Sequence, residues 1–232
     1  MWMAEFWHIS ENSLERRNQN MNKTMEKIAA TGIIPVVTVD SPEQGVRIME
    51  ALSEGGLSAA EVTFRTEAAA EAIRAMREAC PEALLGAGTV LTIEQVDQAL
   101  AAGAAFIVSP GITKEVVEYC VGKGVSVIPG CMTPSDIQLA LSCGLETVKF
   151  FPAEAAGGLK LLRAMSAPYP NVKFMPTGGI SLQNVSEYLT FSKVVCCGGS
   201  WITEAAKRGD YKEVAETARE TAVLVQKIRC GR

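Results

Sequence analysis

Histidine is all but missing from this chain: the one present in 232 residues, His8, stands in a polar leader ahead of any recognisable element. A histidine-based triad, a His-ligated metal centre or an imidazole general base would have to draw on a residue outside the folded part. Proton transfer is left to carboxylate, lysine, tyrosine or thiol. Paired cysteines are missing too. The seven present (Cys80, Cys120, Cys131, Cys143, Cys196, Cys197 and Cys230) form no CxxC pair and their number is odd, which points to a reducing cytoplasm, not a disulfide framework. No apolar run reaches membrane-spanning length, and the first residues, MWMAEFWHISENSLERRNQN, carry acidic groups and lack the contiguous apolar core of a signal peptide. Basic runs and aromatics interleaved with cations are also lacking. With a formal charge of −4, nucleic acid and anionic membranes are poor partners, and a small molecule fits better.

What is there is a core-forming chain, 48% hydrophobic and 21% charged, large enough for one substantial domain. We place that domain at residues 22–232. Residues 1–21 are read as an extension that is disordered or that precedes the true start at Met21. From Ile33 onward, short apolar runs alternate with amphipathic segments. The strands expected are Ile33–Val39, Ala59–Phe64, Leu84–Thr89, Ala105–Ser109, Val125–Pro129, Thr147–Phe151, Val172–Thr177 and Lys193–Gly198. Between them, Ser41, Thr66, Thr92, Thr133 and Ser181 are helix caps, Gly103 and Gly144 close helices, and Asp210 opens a long amphipathic C-terminal helix. Runs this continuously apolar belong to parallel strands covered by helices on the outside. Eight such units predict an α/β fold, a (β/α)8 TIM barrel with an extra N-terminal helix. A doubly wound open sheet is the runner-up, although GAGTV at Gly86 lacks the third glycine of a dinucleotide-binding fingerprint.

In a barrel the chemistry gathers at the C-terminal ends of the strands. With a period of two, Glu61, Thr63 and Arg65 of EVTFRT share one face and Val62 and Phe64 the other; packing the apolar pair on helices sends the carboxylate and guanidinium inward. The same parity turns Lys149 of TVKFFPAE inward, whereas Lys173 and Lys193 stand at strand starts and are expected in solvent. A buried ammonium is expensive. Lys149 is therefore either half of a structural ion pair with Glu61 or a nucleophilic amine, since desolvation raises the neutral fraction of a lysine and the free amine attacks carbonyls. Glu61 would then move the protons. Arg65 can grip a carboxylate bidentately and Thr89 can add a hydroxyl, which makes an α-keto acid the natural guest. PTGGIS and CGGSWIT supply Gly178, Gly179, Gly199 and Ser200 in the two loops where barrels often hold phosphate, each feeding a helix start. Adjacent Cys196 and Cys197 face opposite ways and are read as core fillers. Trp201 is expected to pack the extra helix that follows.

EVTFRT, GAGTV, SPG, PGCMTPSD, KFFPAE, PTGGIS and GGSW, in this order, resemble the class I 2-keto-3-deoxy-6-phosphogluconate (KDPG) aldolases, which overlap with the 4-hydroxy-2-oxoglutarate (KHG) aldolases. The resemblance runs from about Met25 into the C-terminal helix. It implies a metal-independent and cofactor-independent homotrimeric lyase that splits the phosphorylated keto acid into pyruvate and glyceraldehyde 3-phosphate, with KHG or the C4-epimeric phosphogalactonate as alternative substrates. It further implies Lys149 as the Schiff-base residue and Glu61 as the acid/base, with Arg65 and Thr89 on the pyruvate carboxylate. The phosphate would rest on Gly178, Gly179, Gly199 and Ser200, with Phe151 and Pro110 lining the pocket and Thr177 a further contact. A barrel that binds a phosphosugar without chemistry is the less favoured reading.

Overall fold

The described residues of the computed structural model run from 11 to 230, with side chains from 19 onward; His8, Trp2 and Trp7 lie outside them. The strands are β1 (Ile33–Val37), β2 (Ala59–Thr63), β3 (Leu84–Gly88), β4 (Phe106–Val108), β5 (Ser126–Ile128), β6 (Gly130–Cys131), β7 (Thr147–Phe150), β8 (Lys173–Pro176) and β9 (Cys197–Gly199). Helix α1 (Glu11–Thr31) precedes them. Helices α2 (Pro42–Glu54), α3 (Ala69–Ala79), α4 (Ile93–Ala101), α5 (Lys114–Lys123) and α6 (Pro134–Ser142) separate the first strands. Then come α7 (Ala153–Ala156), α8 (Gly158–Ser166), α9 (Val185–Thr190), a 3-10 helix at Trp201–Arg208, and α10 (Tyr211–Cys230).

Most of the expected caps do their work. Ser41 accepts from the Gln44 N–H, Thr92 from that of Gln95, and Thr133 forms a reciprocal box with Asp136. Asp210 accepts from the Glu213 N–H at 3.0 Å. Two caps differ. Thr66 donates to the Val39 carbonyl at 2.7 Å, and α3 starts at Ala69 with no side-chain cap; a short hydroxyl bonds whichever backbone group lies in reach. Ser181 is followed by a loop, and α9 begins only at Val185. Lys193, expected in solvent, instead donates to the Ser166 and Tyr169 carbonyls, each at 2.6 Å, where the end of α8 leaves acceptors open.

All strand pairings are parallel. One sheet runs β5-β4-β3-β2-β1-β9 and a second runs β6-β7-β8. The order never reverses and it seats the first strand beside the last, so there is no switch point of the kind a doubly wound sheet requires. Instead of one unbroken eight-stranded ladder, the fold is a curled parallel sheet in two segments. The expected strand Val125–Pro129 divides at Pro129, which has no N–H to donate. Its carbonyl accepts from the Lys149 N–H at 2.8 Å, and the pairing passes from β4, alongside β5, to β7, alongside β6. The expected Lys193–Gly198 strand appears as single bridges, Phe174 to Val194 and Thr177 to Gly198, plus β9.

Side-chain parity sorts the core into two clusters. Ala60, Val62, Leu85, Ala87, Ile107, Val127, Val148 and Phe150 pack outward among the helices. Ile34, Ala59, Leu84, Phe106, Val108, Ile128, Met175 and Cys196 form an inner cluster. Cys196 and Cys197 accordingly fall in different clusters, both as free thiols. Burial pushes the Cys196 thiol up to about 12 and Cys197 well above its ordinary value. Helix α1 closes the inner cluster from the strand starts: Ile28 is fully buried in it, Met25 packs on it, and Ser126 donates to the Met21 carbonyl at 3.0 Å. Residues 11–21 thus form the first half of a helix whose second half plugs the sheet. Among the described residues no helix is long and apolar enough to cross a membrane. Because Ile28 is enclosed on all sides, Ile28→Ala should cost about 2–5 kcal/mol, read as a lower urea midpoint at unchanged slope.

Candidate active site

β7 buries Val148 and Phe150 outward and so drives Lys149 inward. Its Nζ lies 3.2 Å from Glu61 Oε1, and the two side chains are only 6% and 1% exposed. The Phe151 ring centroid is 5.2 Å from the same nitrogen. Glu61 Oε2 is buried with no hydrogen-bond partner. An orphaned acceptor of that kind costs about 1–3 kcal/mol, which a pair kept only for stability has no reason to carry. The arrangement instead leaves a carboxylate oxygen next to an amine, ready for a ligand or a proton.

Room for this carboxylate comes from β3. In register, Glu61 pairs with Gly86 and Thr63 with Gly88. An added Cβ at Gly88 would lie 2.2 Å from Glu61 Oε1, and one at Gly86 would lie 2.2 Å from the Phe106 ring. Sequence reasoning treated GAGTV as a failed dinucleotide fingerprint and missed both residues. The available signal was two glycines of inward parity on the strand next to an inward glutamate.

Arg65 and Thr89 come together at the strand ends, with Arg65 Nε donating to Thr89 Oγ1 at 3.1 Å. Arg65 is exposed and, among the described residues, in no ion pair. Thr89 has φ +57°, an unusual conformation for a β-branched residue and one that tends to occur at functional sites. Pro110 reaches the same level, because an added Cβ at Gly130, the residue paired with Lys149, would lie 2.0 Å from the Pro110 carbonyl oxygen.

The glycine loops adjoin through the Thr177–Gly198 bridge. Gly178 and Gly179 have φ of +97° and +79°, conformations that glycine adopts without penalty. The Gly178 carbonyl accepts from the Glu154 N–H and the Gly179 carbonyl from Asn184 Nδ2, both at 3.0 Å. The Thr177–Gly198 bridge turns the Gly178 N–H to the Gly198 carbonyl, whereas among the described residues the Gly179 N–H donates to no backbone acceptor. Thr177 Oγ1 is likewise buried without a partner. Ser200 precedes the 3-10 helix, and Trp201 folds back so that its ring fills the place of a side chain on Gly199. The Gly179 N–H and the unpartnered Thr177 hydroxyl, more than helix dipoles, equip these loops for an anion, since α9 starts well beyond Ser181 and the segment after Ser200 is a 3-10 helix.

The family model "Aldolase: KDPG and KHG aldolase" matches residues 24–217. A curated relative from Treponema pallidum, 2-dehydro-3-deoxy-phosphogluconate aldolase, is 48% identical over 202 residues, 86% of this chain and 96% of that protein. The Zymomonas mobilis KDPG aldolase, solved with 3-phosphoglycerate, superposes with a TM-score of 0.83 at 38% identity, covering 89% of this chain and 97% of the other. The Legionella pneumophila KDPG aldolase, solved with pyruvate as a covalent carbinolamine intermediate, gives 0.81 at 40% identity, covering 84% and 96%. With a match of this extent laid over the buried amine, its carboxylate and the two glycine loops, the chain belongs to the KDPG and KHG aldolase family.

Proposed function

We propose that this protein is a class I aldolase that cleaves 2-keto-3-deoxy-6-phosphogluconate into pyruvate and glyceraldehyde 3-phosphate. The observation that carries this reading is the Lys149 amine, enclosed in the sheet at 3.2 Å from a glutamate whose second oxygen is unpartnered. To react, Lys149 gives a proton to Glu61 and its nitrogen attacks the C2 carbonyl. Glu61 returns that proton to the carbinolamine hydroxyl, which leaves as water, so that an iminium forms and the carboxylate is again a base. Glu61 then takes the C4 hydroxyl proton, the C3–C4 bond breaks, and its electron pair passes into the iminium to form an enamine while glyceraldehyde 3-phosphate departs. The enamine takes a proton back from Glu61 at C3, and water adds to the resulting iminium to release pyruvate and the Lys149 ammonium beside the Glu61 carboxylate.

Arg65 and Thr89 hold the pyruvate carboxylate. Gly178, Gly179, Gly199 and Ser200 hold the phosphate, with Thr177, Pro110 and Phe151 along the substrate between them. The paired glycine loops favour the phosphorylated substrate over KHG, the alternative. The same reading closes the two sheet segments into a (β/α)8 barrel, with β5 and β6 a single strand bent at Pro129 and the Phe174–Val194 and Thr177–Gly198 bridges joining β8 to the last strand. It also makes the protein a cytoplasmic homotrimer with residues 22–232 as its catalytic unit.

Incubation with pyruvate and borohydride should add a stable mass to the peptide containing Lys149. Lys149→Ala should abolish that label and lower cleavage by about a thousandfold or more; an unlabelled parent peptide overturns the mechanism. Gly88→Ala puts a methyl group where the Glu61 carboxylate stands, and should lower kcat by about a hundredfold. Steady-state kinetics check this, and a kcat close to that of the parent would show that Glu61 is not the proton carrier.

A further inference from the structure

Glu154 ends the TVKFFPAE stretch, and the chemistry above makes no use of it. It nevertheless touches both glycines of the β8 loop. Its N–H donates to the Gly178 carbonyl at 3.0 Å, and its stem occupies the space beside Gly179, where an added Cβ would come within 2.6 Å of Glu154 Cβ. The carboxylate is fixed in turn. The Tyr188 phenol, 1% exposed, donates to Glu154 Oε1, and both groups lie over Gly158, whose added Cβ would be 3.1 Å from Oε1 and 3.4 Å from the phenol oxygen. Burial, and then the Glu154 bond, push the phenol above its ordinary value, so it remains a donor. Tyr188 belongs to α9 and Glu154 to α7, and the glycine loop runs between the two.

We infer that Glu154 and Tyr188 are positioning residues for the substrate phosphate: the pair braces the Gly178–Gly179 loop so that the Gly178 carbonyl stays engaged and the Gly179 N–H faces the anion. This rests on the proposed function. The brace touches none of Lys149, Glu61 or Arg65, so its loss acts on the phosphorylated end of the substrate and not on the bond-breaking end. A purely structural contact would instead weaken both ends alike.

The test uses Tyr188→Phe, which removes one hydroxyl, and Glu154→Ala, whose own position is exposed, with the urea midpoint of each variant measured to show that it is folded. Both should raise the KM for KDPG about fivefold to tenfold, the scale of one lost hydrogen bond, with kcat changed by less than about twofold. The ratio of kcat/KM for KDPG over unphosphorylated KHG should fall by the same factor, and inorganic phosphate should become a correspondingly weaker inhibitor. An unchanged ratio in both variants, whether the two activities fall together or not at all, overturns the inference. A parent protein that cleaves neither substrate overturns the proposed function and the inference with it.

Discussion

An ammonium and a carboxylate taken out of water lose several kcal/mol of hydration each, and their attraction repays that only in good geometry. Lys149 and Glu61 are in this position, and much of the surrounding structure serves to hold them there. Val148 and Phe150 anchor β7 outward, Val62 anchors β2, and Gly88 on β3 leaves the volume that the carboxylate fills. From the opposite end of the strands, Ile28 and Met25 of α1 close the inner cluster, so that the amine has apolar residues beneath it. Arg65, Thr89 and the glycine loops stand at the other ends of the strands.

Two kinds of positioning are at work around that pair. Groups on strands are placed by parity and register, and they hardly depend on loop chemistry: Lys149 faces Glu61 because β7 in one sheet segment and β2 in the other turn the same period-2 face inward. Groups in loops are placed by hydrogen bonds made one at a time. Gly178 and Gly179 have their carbonyls engaged by Glu154 and Asn184, and Asn184 Oδ1 accepts from the Ser181 N–H at 2.9 Å. In the proposed reading bond breaking falls to the strands and phosphate binding to the loops, so the two can vary separately.

Legibility from sequence followed the same division. Residues whose placement depends on alternation were readable: the inward set Glu61, Thr63, Lys149 and the opposed Cys196 and Cys197 all lie where a two-residue period puts them. Residues whose placement depends on what stands across a gap were not. Gly86 and Gly88 looked like a failed motif because their partners, Phe106 and Glu61, are brought to them only by the pairing of strands. Lys193 looked like a solvated strand start because the carbonyls it satisfies belong to a helix end folded back over it. Thr66 passed for a cap because its real acceptor, Val39, lies on a different strand.

The amino-acid sequence by itself determined the alternation of strands and helices and the face on which each strand side chain lies, since periodicity is a local property of the chain. Only the tertiary structure decided that the ladder breaks at Pro129, that α1 seals the inner cluster, that the Gly178 and Gly179 carbonyls are engaged by Glu154 and Asn184, and that Glu154 is tied to Tyr188. Each of these depends on groups far apart in the chain meeting at hydrogen-bond or van der Waals distance, and no pattern along the chain encodes a distance between segments.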